Sequence, residues 1–84
     1  METKIALVGI IVEELEQAEK VNAVLHEYAE FIVGRMGIPY REKEVSVIAV
    51  VVDAPQSIIS RLSGKIGMID GVNVKTVNTK AVQG

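Results

Sequence analysis

Val45-Ser46-Val47-Ile48-Ala49-Val50-Val51-Val52 is the stretch on which the fold turns. It is almost wholly apolar and β-branched, too short for an ordinary helix, and it ends at Asp53-Ala54-Pro55, so it reads as a strand. A strand with one wet face alternates apolar and polar residues. Here Val45, Val47, Ala49 and Val51 share one face, and Ser46, Ile48, Val50 and Val52 the other. With apolar residues on both faces, the strand belongs at the centre of a sheet covered on both sides.

Upstream, Ile5-Ala6-Leu7-Val8-Gly9-Ile10-Ile11-Val12 has the same character. It makes a second central strand, broken by Glu13-Glu14. Residues 13–29 follow as a helix, with Leu15, Ala18, Val21, Leu25 and Ala29 in one apolar stripe widened by Val24 and Tyr28. Glu13, Glu14 and Glu16 sit at its start, where the helix dipole favours negative charge. Residues 31–38 form a weaker strand interrupted by Gly34 and Gly37 and ended by Pro39, a pattern suited to a sheet edge or a bulge. The polar segment Arg41-Glu42-Lys43-Glu44 turns the chain into the central strand.

Downstream, Asp53 is placed to cap a second helix and Pro55 to occupy its first turn. Ile58, Ile59, Leu62 and Ile66 give that helix its buried stripe, and Gly64 and Gly67 mark its C-terminal end. Residues 71–80 are the last strand. Val72 and Val74 alternate there with Asn73 and Lys75, as at an edge. The tail to Gly84 is expected to fray.

The order β-α-β-β-α-β is the split β-α-β, or ferredoxin-like, arrangement of the α+β class. Right-handed crossovers give an antiparallel sheet of order 4-1-3-2, with both helices on one face. The two strands that are apolar on both faces fall at the centre of that order. The whole chain, 1–84, is expected to be a single domain, since 84 residues hold no more than one. Helices on one face leave the Val- and Ile-rich opposite face open, and an apolar patch of that extent marks an interface. A homo-oligomer, a dimer or tetramer that packs sheet to sheet or pairs strands edge to edge, is therefore expected, with a monomer carrying an open apolar face as the alternative. A chain this short buries only roughly 60–65% of its unfolded surface, so association would also add stability.

Composition excludes several functions. Net charge is −2, which disfavours non-specific binding to nucleic acid or anionic membranes. There is no cysteine, so disulfides and thiolate metal sites are ruled out. The longest apolar run is far short of a membrane span and carries no signal-peptide features, so no membrane is expected and a cytoplasmic location is the default. His26, the only histidine, reads as a surface residue in mid-helix. Ser63-Gly64-Lys65 is no phosphate-binding loop, because the motif needs a glycine where Ile59 stands and a Ser or Thr where Ile66 stands. Ser57, Ser60 and Ser63 have no base nearby and read as a wet helix face. No catalytic residues and no metal ligands are assigned.

The topology brings three loops to one end: the Glu13 turn, the hairpin with Tyr40, Arg41 and Lys43, and the segment Gly64-Lys65-Ile66-Gly67. Basic side chains, glycines and a helix N-terminus together suit a small anionic ligand. The alternative is structural: capping glycines, Lys65 complementing a helix C-terminus, and Arg41 and Lys43 paired with Glu42 and Glu44.

Arg35-Met36-Gly37-Ile38-Pro39-Tyr40-Arg41-Glu42, then Leu62-Ser63-Gly64-Lys65-Ile66-Gly67 and Gly71-Val72-Asn73-Val74-Lys75-Thr76, resemble the small bacterial proteins named iron-only hydrogenase system regulators. The resemblance covers nearly the whole chain. It implies an ACT-like form of the fold, similar to the C-terminal domain of the nickel-responsive repressor. The histidine-rich metal site of that repressor has no counterpart here, nor does a ribbon-helix-helix segment before the first strand, so direct DNA binding is not expected. Two functions follow as expectations. One is a regulatory module that senses a ligand or binds a protein as a homo-oligomer, linked to an iron-only hydrogenase system. The other is a small enzyme with its active site between subunits. The residues leave ligand, cofactor and partner unspecified.

Overall fold

The computed structural model describes residues 2–79. Residues 80–84, where the frayed tail was expected, lie outside the described residues. The elements are β1 (Lys4–Val12), α1 (Ala18–Glu27), β2 (Ile32–Tyr40), β3 (Val45–Ala54), α2 (Gln56–Gly67) and β4 (Val72–Asn78). They form one antiparallel sheet in the order β2-β3-β1-β4, the expected order read from its other edge. β1 pairs with β3 from Lys4↔Ala54 to Val12↔Ser46, and with β4 from Ala6↔Asn78 to Val12↔Val72.

Parity decides which face is covered. Ala6, Val8, Ile10 and Val12 of β1 and Ile48, Val50, Val52 and Ala54 of β3 are buried beneath the helices. Val21 and Leu25 of α1, Tyr28 at its C-terminal cap, and Ile59, Leu62 and Ile66 of α2 close the core over them. The sheet is thus two-layered, and each central strand sends its second apolar parity away from the helices.

Several details depart from expectation. The first helix starts later: Glu14 is extended, Leu15–Gln17 form a 3-10 turn, and the α-helix begins at Ala18. Glu13 donates its backbone N–H to the Gly71 carbonyl (2.7 Å), which holds the chain outside the helix at that point. Leu15 is in consequence 49% exposed and Ala29 is exposed at the other end, so the stripe rests on Val21, Val24, Leu25 and Tyr28.

β2 does not stop at Pro39, which pairs with Ser46; an edge strand tolerates a residue without an N–H donor. Asp53 is not a cap, because β3 continues through Asp53↔Ile5 to Ala54↔Lys4, and ladder pairing takes it. Pro55 is the N-cap, its carbonyl accepting from the N–H groups of Ile58 and Ile59.

The glycines after the second helix also divide differently. Gly64 lies inside α2 and Gly67 is its last residue. A Cβ on Gly67 would stand 3.3 Å from Val74 Cγ1, so its small size lets the helix end approach β4. The left-handed residue that turns the chain is Gly71, at φ +75°. Ser63 is not on a wet face: its hydroxyl is 2.7 Å from that of Thr76 in a partly buried contact between α2 and β4.

Candidate functional site

The face of the sheet turned away from the helices is largely apolar across β1, β3 and β2, and mixed at the β4 edge. From β1 come Leu7 and Ile11, 48% and 44% exposed, with Gly9 between them. From β3 come Val47, Ala49 and Val51, opposite those residues in register, with Val45 beyond them. The edge strand β2 adds Met36, Ile38 and Tyr40, paired with Ala49, Val47 and Val45. β4 contributes Asn73, Lys75 and Val77. A shallow hollow of about 260 Å³ lies at Gly9, bordered by Ile11, Val47 and Lys75. A Cβ on Gly9 would meet only the Lys75 carbonyl, at 3.7 Å, so the fold itself does not require glycine there. Asp53 and Lys75, the charged residues of this parity in the central strand and at the edge, carry opposite signs.

The loop end is arranged differently from its sequence-based picture. Glu13 and Glu44 do come together, around a depression also lined by Glu14, Leu15 and Glu16. Tyr40 donates its hydroxyl to Glu42 (3.2 Å) at the start of the hairpin, and Glu44 closes the turn in the left-handed region, φ 54°. Asn73 bonds to the Glu13 carboxylate. Arg41 and Lys43 make no ion pair; among the described residues the one ion pair is Lys65–Glu27. That pair takes Lys65 away from the loops, to the C-terminal turn of α1. Its ammonium there donates to Glu27 at 2.6 Å and lies 5.5 Å from the Tyr28 ring centroid. The hydrogen bond to Glu27 raises the lysine pKa above its ordinary value, with desolvation opposing it. Gly64 is exposed within α2, and Gly67 packs on β4. Geometry therefore joins Glu13 to the hairpin with Tyr40, Arg41 and Lys43, while Lys65 joins the helix layer.

Sequence reasoning missed a second concavity, between α1 and β2. Asn22, Leu25, His26 and Ala29 form one wall and Ile32 and Arg35 the other, around a volume of about 600 Å³. The helix wall was legible as positions 22, 25, 26 and 29, spaced for one face. The strand wall was not, because it depends on an irregularity described below. No group of three or more His, Cys, Asp or Glu side chains among the described residues is placed to hold a metal. No described helix is long and apolar enough to cross a membrane.

A two-helix layer on one side of a four-stranded antiparallel sheet, with the other side apolar and open, defines a small ferredoxin-like α+β domain. The chain belongs to the TM1266-like family, described as "Iron-only hydrogenase system regulator, putative", whose model matches residues 4–76. The structure is similar to that of protein TM1266 from Thermotoga maritima, at 38% identity and TM-score 0.89, over 94% of this chain and 100% of that one. Two more distant likenesses show the fold alone. A formyltetrahydrofolate deformylase from Pseudomonas putida KT2440 matches at 14% identity and TM-score 0.58, over 88% of this chain and 28% of that one. CPII, a nitrogen regulatory PII-like protein from Thiomonas intermedia K12, matches at 13% identity and TM-score 0.52, over 94% and 99%. None of the curated proteins matches the chain.

Proposed function

We propose that this chain is a non-catalytic regulatory module of an iron-only hydrogenase system, acting in the cytoplasm as a homo-oligomer that packs its open sheet face against a second copy. The observation that carries this is the open face itself. Leu7, Ile11, Met36, Ile38, Val47 and Val77 are all more than a third exposed on a single surface. Isolated exposed hydrophobic residues are ordinary, but a contiguous set across a whole sheet is not. A second copy is the occupant that fits the charges. The face carries Asp53 and Lys75, one of each sign, so two copies can oppose them reciprocally across a two-fold axis. The Gly9 hollow offers a socket for a partner's apolar side chain. The hydrogenase link comes from the family.

Light scattering at low micromolar concentration tests the assembly, and a dimer or tetramer is expected; a monomer overturns it. Replacing the chromosomal copy with Val47→Glu in the native host tests the regulation. Hydrogenase level should then change as it does on deletion of the gene, and an unchanged level overturns the reading.

A further inference from the structure

The groove between α1 and β2 owes its charge to a bulge. Alternation along a strand sends residues three apart to opposite faces. Ile32 and Arg35 are three apart, yet both face the helices: Ile32 is paired with Val52 and Arg35 with Val50, two buried positions of the helix-facing parity. The register shifts between Ile32 and Gly34, so Val33 is an extra residue on the β2 side. A bulge re-aims the side chains that follow it. Here it carries a guanidinium to the helix side of the sheet edge.

Arg35 is held there on one side only. Its Nη2 donates to Asn22 Oδ1 at 2.7 Å, which anchors one arm of the fork. No carboxylate pairs with it among the described residues. The guanidinium is exposed at the sheet edge and has five N–H donors, so most of them face solvent and are open to an incoming acceptor. Around it the floor is apolar, with Leu25 fully buried and Ile32 partly so, and Ala29 and the His26 imidazole stand at the rim. Gly37, two residues on and paired with Ile48 on the same side of the sheet, has nothing within 4 Å of where a Cβ would be, so this side of β2 stays open past Arg35. A volume of about 600 Å³ is within the ordinary range for small-molecule sites, roughly 300–1,000 Å³.

We propose that this groove binds a small organic carboxylate. Its carboxylate pairs with the free edge of the Arg35 guanidinium, and its apolar or aromatic body lies on Ala29 and Ile32 against the His26 ring. A planar fork oriented by Asn22 suits a planar two-oxygen group, and two parallel N–H···O bonds give that pairing its strength and direction. The proposal names the ligand class for the regulatory reading above and rests on that reading only in treating the ligand as a signal. The groove is on the helix side of the sheet, away from the association face. A monomer that binds carboxylate overturns the assembly alone, and an oligomer that does not bind it overturns this site alone.

The test is an amide-resolved NMR titration of the full chain with 3-phenylpropanoate, alongside 3-phenylpropanamide and acetate. Saturable shifts confined to residues 22–35 are expected with the acid. The amide, isosteric but uncharged, should bind at least tenfold more weakly, and so should acetate, which lacks the apolar body. Arg35→Gln should weaken the acid at least tenfold with the rest of the spectrum unchanged, and Arg35→Lys should lie between the two. Absence of saturable shifts, shifts centred on the loop end, equal binding of acid and amide, or an Arg35→Gln variant that binds as well as the parent overturns the proposal.

Discussion

Lys65 of α2 donates to Glu27 of α1 across the helix layer, 2.6 Å between Nζ and Oε2, with the Tyr28 ring beneath the ammonium. The contact raises the lysine pKa, chiefly through the hydrogen bond to Glu27. A group whose pKa is raised on folding contributes stability that is fully present below its unfolded value. That contribution is lost as pH rises through the folded value, here above lysine's ordinary value of about 10.4. The side chains are 43% and 55% exposed, so the effect is small and screened by salt. Thermal unfolding followed from neutral pH to the alkaline limit should fall less steeply for Lys65→Met than for the parent. Identical slopes would show that the pair adds nothing to the fold.

The two parities of β3 should respond oppositely to charge. Val50 is fully buried under the helices, whereas Val47 is 37% exposed on the open face. Val50→Glu buries an unpaired carboxylate at a cost of several kcal/mol, enough to unfold a domain with a total stability of roughly 5–15 kcal/mol. Val47→Glu should leave the circular dichroism spectrum and melting cooperativity intact and reduce the particle to a monomer in light scattering. The same outcome at both positions contradicts the two-layered account.

Gly9 offers a substitution that should strengthen the fold while removing the assembly. Glycine within a strand costs roughly 0.5–1 kcal/mol relative to alanine, and a Cβ at this position meets only an ordinary contact. Gly9→Val fills the hollow on the open face with a residue well suited to a strand. A higher melting temperature together with a lost oligomer is the expected result. An intact oligomer would remove the hollow from the interface.

At Gly71 the same kind of change should be harmful. Its φ is +75°, and an added Cβ would run into the Glu14 side chain. Gly71→Ala should cost about 1–3 kcal/mol in denaturant unfolding. Glu14→Ala in the same chain relieves the collision but not the backbone strain, so only part of the loss should return. Gly71→Asn should be milder than Gly71→Ala, since Asn tolerates the left-handed region better.

Leu25 and Leu15 were read as members of one buried stripe, and truncation should separate them. Leu25 is fully buried and Leu15 is 49% exposed. Leu25→Ala should cost about 2–5 kcal/mol of unfolding free energy. Leu15→Ala should stay within about 0.5 kcal/mol.

Local sequence was enough to determine the element order, the pairing of two central strands and the presence of an open apolar face. Each of those follows from side-chain period, which neighbouring residues enforce on one another: Val45 to Val52 is apolar at both parities whatever surrounds it. Where a longer-range contact competed with a local preference, the fold decided. Asp53 has the chemistry of a cap, but Ile5 lies opposite it and extends the ladder. Glu13 has the charge of a helix start, but the Gly71 carbonyl takes its N–H. Lys65 sits among loop glycines in sequence, but its flexible stem carries the ammonium to Glu27 on the neighbouring helix. Arg35 was least legible of all. Strict alternation from Ile32 would put it on the open face, and only the extra residue at Val33, set by how β2 pairs with β3, turns it to the helix side of the sheet edge to meet Asn22. Period is a property of the chain alone. Which face a side chain reaches after a register shift is a property of two strands, so it came into being only with the sheet.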